Sequence, residues 1–167
     1  MKKEEENKET MPEEEISQIS PEIQKKLDEI KKTLEKFKEE VLKKYKDEVV
    51  GIELLPPEKE KKKSQEINIL ILIDDSEVQK VNKESLKTKM ENSLGDMAKG
   101  IDKNIRPQPL MLSDLKEMCF DAKYDILDLI AVGAIVYDKG MLSALKAAQV
   151  HKDMAIKKFE KYVISYV

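Results

Sequence analysis

With 167 residues, the chain has room for one compact domain and an appendage, because domains commonly hold about 100–200 residues. Charged residues make up 39% of it yet nearly cancel to a formal −3, which excludes a bulk field driving the whole molecule onto nucleic acid or membrane. Cys119 is the single cysteine, which excludes an internal disulfide and a multi-cysteine zinc site. No uninterrupted apolar run reaches the ~18–20 residues of a membrane span, so a soluble, cytoplasmic protein with no membrane partner is expected.

Residues 1–19 read as a disordered charged tail, since a stretch so rich in Glu and Lys buries too little apolar surface to offset the entropy of ordering it. Residues 20–47 read as a long helix. Ser20-Pro21-Glu22 supplies a side-chain cap, a proline where no N–H is needed and an acid at the positive helix end. Ile23, Leu27, Ile30, Leu34, Phe37 and Val41 then recur in steps of four and three, a heptad seam that wants a partner. Two readings stay open: the seam packs on this protein's own domain, or it forms a dimeric coiled coil or docks on another protein.

Residues 48–167 are expected to form an α+β (α/β-like) domain. Val49 to Leu55 and Ile67 to Ile73 are β-branched and aliphatic runs that read as neighbouring strands, joined by Pro56-Pro57 and the charged stretch from Glu58 to Gln65. Both faces of the second run are apolar, which predicts a central strand with helices on both sides. A helix is predicted around Lys83 to Asn104, a strand around Ile105 to Leu112, a helix starting at a Ser113 cap, and another over Tyr124 to Val132. A short strand, Ala134 to Tyr137, follows. After Asp138-Lys139-Gly140 a long helix is predicted, with Phe159, Tyr162, Val163, Tyr166 and Val167 on one side of its last turns.

The segment from Val49 to Asp74 resembles the core of the nucleotidyltransferase superfamily, whose polymerase-beta-like members run a hydrophobic strand, a Gly-Ser turn, a basic loop and a strand opened by Asp-x-Asp. Pro107 to Leu115 and Ile130 to Gly140 are similar to the distal half of small members, including archaeal ones. The resemblance implies a nucleotidyltransferase-like mixed sheet with flanking helices, preceded by the long N-terminal helix. It also implies a lost catalytic site. The turn that would present N–H groups to a triphosphate reads Pro56-Pro57, and proline has no N–H to donate. The triplet that would hold two metal ions reads Glu66-Ile67-Asn68, and Asn68 is a neutral, weak ligand where a bridging carboxylate is needed. No acid follows on the next strand until Asp114. Asp74 shares a strand face with Glu66 and Asn68, but six residues of strand place it about 20 Å from Asn68. Asp74-Asp75-Ser76 therefore reads as the polar end of a buried strand entering a turn.

Other candidates carry less chemistry. His151, the sole histidine, reads as a surface side chain, and Cys119, between Met118 and Phe120, as a small core residue. Asp121, Lys123, Tyr124 and Asp125 crowd a helix junction. Basic residues gather at Lys59, Lys61, Lys62 and Lys63, and again at Lys146, His151, Lys152, Lys157, Lys158 and Lys161. Either group can meet phosphates or form a solvated face, since acids are interleaved with both. The resulting expectation is a non-catalytic nucleotidyltransferase-like binding or regulatory protein. It needs no metal or cofactor and engages RNA, a ribosomal particle, a partner protein or itself through the Ile23–Val41 helix. The alternative is a magnesium-dependent nucleotidyltransferase, including an antitoxin-type member, built on Glu66 with an unconventional ligand set.

Overall fold

The computed structural model describes residues 21–57, 66–78, 82–121 and 123–159. The tail over 1–19, the lysine loop with Lys59 to Lys63, Lys161 and the apolar end from Tyr162 to Val167 lie outside them. The chain divides into two units, one ending at Lys32 and one starting at Thr33.

Helix α1 (Pro21–Tyr45) begins in the first unit and ends in the second. In the first, Ile23 and Leu27 are exposed. In the second, Leu34, Phe37, Val41 and Tyr45 are buried. The seam positions Leu34, Phe37 and Val41 are thus shielded from solvent.

The second unit then runs β1 (Val49–Leu54), β2 (Ile67–Ile73), α2 (Lys83–Ile101), β3 (Ile105–Met111), α3 (Leu112–Phe120), α4 (Asp125–Val132), β4 (Ala134–Asp138) and α5 (Met141–Phe159). The fold is mixed α/β. Its four-stranded open sheet has the order β3-β2-β1-β4, with β1 antiparallel to β2 and β4 and β2 parallel to β3. All seven residues of β2 are buried, as its two apolar faces predict, and each large aliphatic side chain so buried contributes about 1.5–3 kcal/mol. At the sheet edge, β3 carries Pro107 and Pro109, a residue type that cannot donate to a ladder and is confined to such edges.

The two faces of β2 serve different helices. Leu70 and Leu72 join one core cluster with Leu110, Leu115 of α3, Ile130 of α4 and Leu142 of α5. Ile69, Ile71 and Ile73 point the other way, and the buried residues of α2, Met90, Leu94 and Ala98, lie outside that cluster. Consequently the chain leaves β2 through α2 toward one face and leaves the adjacent parallel β3 through α3 toward the other. Close packing under α5 depends on Gly51, where an added Cβ would meet Leu142 Cδ1 at 2.6 Å.

Three expected boundaries move. The helix after β2 stops at Ile101 rather than Asn104, because Asp102 leaves the helical conformation and its carboxylate accepts the Asn104 N–H at 2.8 Å. The strand before α3 ends at Met111, so α3 starts at Leu112 and Ser113 is not its cap residue. The last strand extends to Asp138, whose carboxylate accepts the N–H groups of Gly140, Leu142 and Ser143 at 2.8–3.0 Å and the Ser143 hydroxyl at 2.6 Å. This cap lets α5 begin, with Gly140 at φ 108 completing the turn.

Candidate functional site

The positions singled out by the resemblance do come together at one end of the β1–β2 pair. The Leu55 N–H donates to the Asn68 carbonyl at 2.9 Å, which sets Pro56 and Pro57 beside the start of β2. Asn68 is buried and lies opposite Arg106 of β3 in the parallel register. The Arg106 guanidinium takes the place beside Glu66: its Nε is 3.2 Å from Glu66 Oε1. Its Nη1 donates to the carbonyls of Lys103 at 2.6 Å and Ile105 at 3.2 Å. Asp114 is far from this group, at the other end of β3, where it meets Lys87 at 3.4 Å. Among the described residues no three His, Cys, Asp or Glu side chains converge closely enough to hold a metal ion.

The basic residues of α5 do not act as one patch. Lys146 turns inward. Its ammonium donates to the carbonyls of Ile130, Ala131 (3.2 Å) and Gly133 (2.7 Å), capping the C-terminus of α4, and sits 2.6 Å from Glu53 Oε1. The expected grouping of Lys146 with the outward lysines is therefore corrected, since the free carbonyls at the C-terminus of α4 and the Glu53 carboxylate draw its ammonium inward. Lys152 is half-buried, with its ammonium 5.0 Å from the centre of the Tyr124 ring. Lys157 and Lys158 are exposed. Lys123 pairs with Asp121 at 2.9 Å in the α3–α4 junction.

Glu53 was not anticipated. It is fully buried on β1, and burial pushes its carboxyl above the usual range although Lys146 pulls it back. The ammonium is close but poorly aligned: among the described residues neither Glu53 oxygen receives a well-directed hydrogen bond. The contact is an ion pair more than a hydrogen bond. Gly133 makes room for it, because a Cβ there would fall 2.7 Å from Glu53 Cδ. The one signal in the sequence was a lone acid inside an otherwise apolar strand.

At the opposite end of the sheet from Glu66, a cleft of about 580 Å³ opens where β2 and β3 hand over to α2 and α3. Adjacent parallel strands whose connections depart to opposite faces leave such a crevice at their carboxyl ends, the usual place for ligands in open α/β sheets. Asp75 holds its floor. This carboxylate, 1% exposed, accepts the Ser113 N–H at 3.0 Å and the Ser113 hydroxyl, and pairs with Lys83 at 3.1 Å. Burial alone would raise its pKa, but the bonds from Ser113 and the Lys83 ammonium outweigh that and hold it below the usual range. Asp75, just past the end of β2, is thus also a cap for α3. Asp74, next to it, does behave as expected, accepting the Ser76 N–H at 2.9 Å at the strand's polar end, which lowers its pKa. The cleft walls are apolar, formed by Leu112, Leu115, Cys119, Phe120, Met141 and Leu145. Cys119 is half-buried there, and Phe120 is 84% exposed.

In comparison with known proteins, no family model matches the chain and no curated protein sequence is significantly similar to it.

Proposed function

We propose that this chain is a nucleotidyltransferase-like protein that binds or regulates without transferring nucleotides, with RNA, a ribosomal particle or a partner protein as its ligand. The observation that carries this reading is the Arg106 guanidinium 3.2 Å from Glu66. Two-metal transfer needs carboxylates converging on a pair of cations. Here a fixed positive side chain faces the one carboxylate in that position, and a divalent ion would have to enter against it. Pro56 and Pro57 beside it offer no N–H to a triphosphate. The reading also draws on the coarse architecture, in which β1 pairs antiparallel with β2 inside a mixed four-stranded sheet.

On this reading the outward lysines of α5, Lys157 and Lys158 first, supply sequence-independent affinity for phosphate. Lys152 contributes less because its ammonium lies over Tyr124. Melting curves with magnesium and ATP test the catalytic side. No stabilisation is expected, whereas saturable binding at about a hundred times Kd would stabilise by roughly 2.7 kcal/mol. A clear shift that disappears in Glu66→Ala contradicts the proposal and returns the magnesium-dependent enzyme.

A further inference from the structure

Lys146 has more partners than protons. An ammonium carries three N–H groups, and four acceptors crowd the one at the tip of this side chain: the carbonyls of Ile130, Ala131 at 3.2 Å and Gly133 at 2.7 Å, and Glu53 Oε1 at 2.6 Å. The carbonyls take the directed bonds. Both Glu53 oxygens, fully buried on β1, go without one among the described residues. That division suits a neutral carboxyl. An ionised carboxylate is the strongest acceptor of the four, and away from water it bears the whole loss of hydration unless a donor turns to it. One N–H then has to leave α4.

What that N–H holds is the end of the helix. The last carbonyls of a helix have no partner within it, and Lys146 reaches these from α5. Gly133 closes α4, its N–H donating to the carbonyls of Leu129 at 3.1 Å and Ile130 at 3.3 Å, and β4 starts at the next residue. Leu129 and Val132 stand exposed on this turn, by 41% and 69%. Few charged groups surround Glu53. Burial raises its carboxyl, Lys146 of α5 lowers it and Asp138 of β4 raises it, leaving it above the usual range. Asp138 is itself committed to the N–H groups that open α5, and Asp128 of α4 is held by Gln149 Nε2 at 2.5 Å. The partners of Glu53 across the sheet, Leu70 and Ile135, are apolar. The contest is therefore between one carboxyl and one helix end for the same ammonium.

We propose that Glu53 is a proton-operated latch on the end of α4: with its proton bound, Lys146 holds the last turn closed, and release of that proton to solvent draws Lys146 to the carboxylate and frees the turn. Rising pH thus loosens the junction of α4 with β4, and falling pH closes it. Leu129 and Val132 are held on an ordered helix end only in the closed state. Gly133 is what lets the two partners meet, since a Cβ there would fall 2.7 Å from Glu53 Cδ. The latch does not depend on how the Glu66 end of the sheet is read.

Amide hydrogen exchange of the full chain from about pH 4.5 to about pH 8.5 reads the latch, with the Glu53 carboxyl followed in parallel by its carbon-13 shift. As that carboxyl ionises, the protection factors of the Val132 and Gly133 amides are expected to fall about tenfold with the same midpoint, while Met90 and Leu94 of α2 keep theirs. Glu53→Gln, which has no proton to release, should keep both amides protected across the range. Lys146→Met should leave them unprotected at every pH with α2 still protected, a pattern that global unfolding does not produce. His151→Gln, at an exposed position on α5, should leave the wild-type profile unchanged. Protection that stays flat while Glu53 ionises overturns the proposal, as does a Glu53 carboxyl that keeps one charge throughout. A pH profile that survives Glu53→Gln or vanishes in His151→Gln belongs to another group and also overturns it.

Discussion

Asp75 and Glu53 are two buried carboxylates with opposite consequences. Asp75 satisfies the start of α3 and neutralises Lys83, so Asp75→Ala should cost about 2 kcal/mol through lost charge-assisted bonds, and Ser113→Ala, which removes the hydroxyl bond to Asp75, about 1 kcal/mol. Chemical denaturation at neutral pH measures both. The pKa directions fix the sign of the pH dependence. Asp74, Asp75 and Asp138 are held low in the fold. Their stabilisation is complete above the unfolded value of about 3.9 and is lost as pH falls through the folded values. Glu53 is held high, so the folded state binds its proton more tightly. Stability then declines as pH rises from the unfolded value of about 4.3 through the folded one. The melting temperature should therefore fall steeply at acid pH, and Glu53→Gln should remove the decline on the other side. A wild-type profile that is flat on that side would contradict the Glu53 account. Gly133→Ala should destabilise by about 1–3 kcal/mol, since its Cβ would overlap Glu53.

At the level of elements, α1 offers the clearest contrast. Phe37 is fully buried, whereas Leu27 is 40% exposed. Phe37→Ala should cost about 3–5 kcal/mol and Leu27→Ala no more than about 0.5 kcal/mol, as equilibrium unfolding will show. Equal costs would mean that the whole seam is packed. The sequence made the regular elements plain for identifiable reasons. β2 is a run of seven aliphatic or β-branched positions broken only by Asn68, and the Pro21-Glu22 start and Gly140 turn are local signals. What stayed hidden is non-local. Ser113 looked like a helix cap because Ser-x-x begins many helices, but the carboxylate that satisfies it comes from the end of a different strand. Lys146 looked like one more surface lysine until α4 ended beside it. No spacing rule could pair it with Glu53, since that contact exists only after α5 crosses β1. The cleft was equally illegible: Cys119 read as a small core residue, and nothing in the sequence marked Phe120 beside it as 84% exposed.

Across the whole molecule, the two ends of the sheet divide the labour. At the start of β2 stand two prolines, a buried asparagine and an arginine-bound glutamate, which on the proposed reading replace the N–H groups and paired acids of transfer chemistry. At its end, a buried aspartate joins β2 to α3 beneath an apolar cleft. The resemblance directed attention to the first end, while the second emerged only from topology. If α5 also meets RNA, Lys157→Ala with Lys158→Ala should lower affinity for single-stranded RNA and reduce the slope of log K against log salt by roughly 0.7 for each phosphate that is no longer neutralised. An unchanged slope removes α5 from RNA binding.

The central claim is the absence of nucleotidyl transfer, and the most direct test is incorporation of label from α-phosphate-labelled nucleoside triphosphates into RNA and protein acceptors with magnesium or manganese. Transfer by the wild type is expected to equal that of Glu66→Ala and of a protein-free blank. Incorporation that depends on Glu66 would contradict the account and restore a working active site at the start of β2.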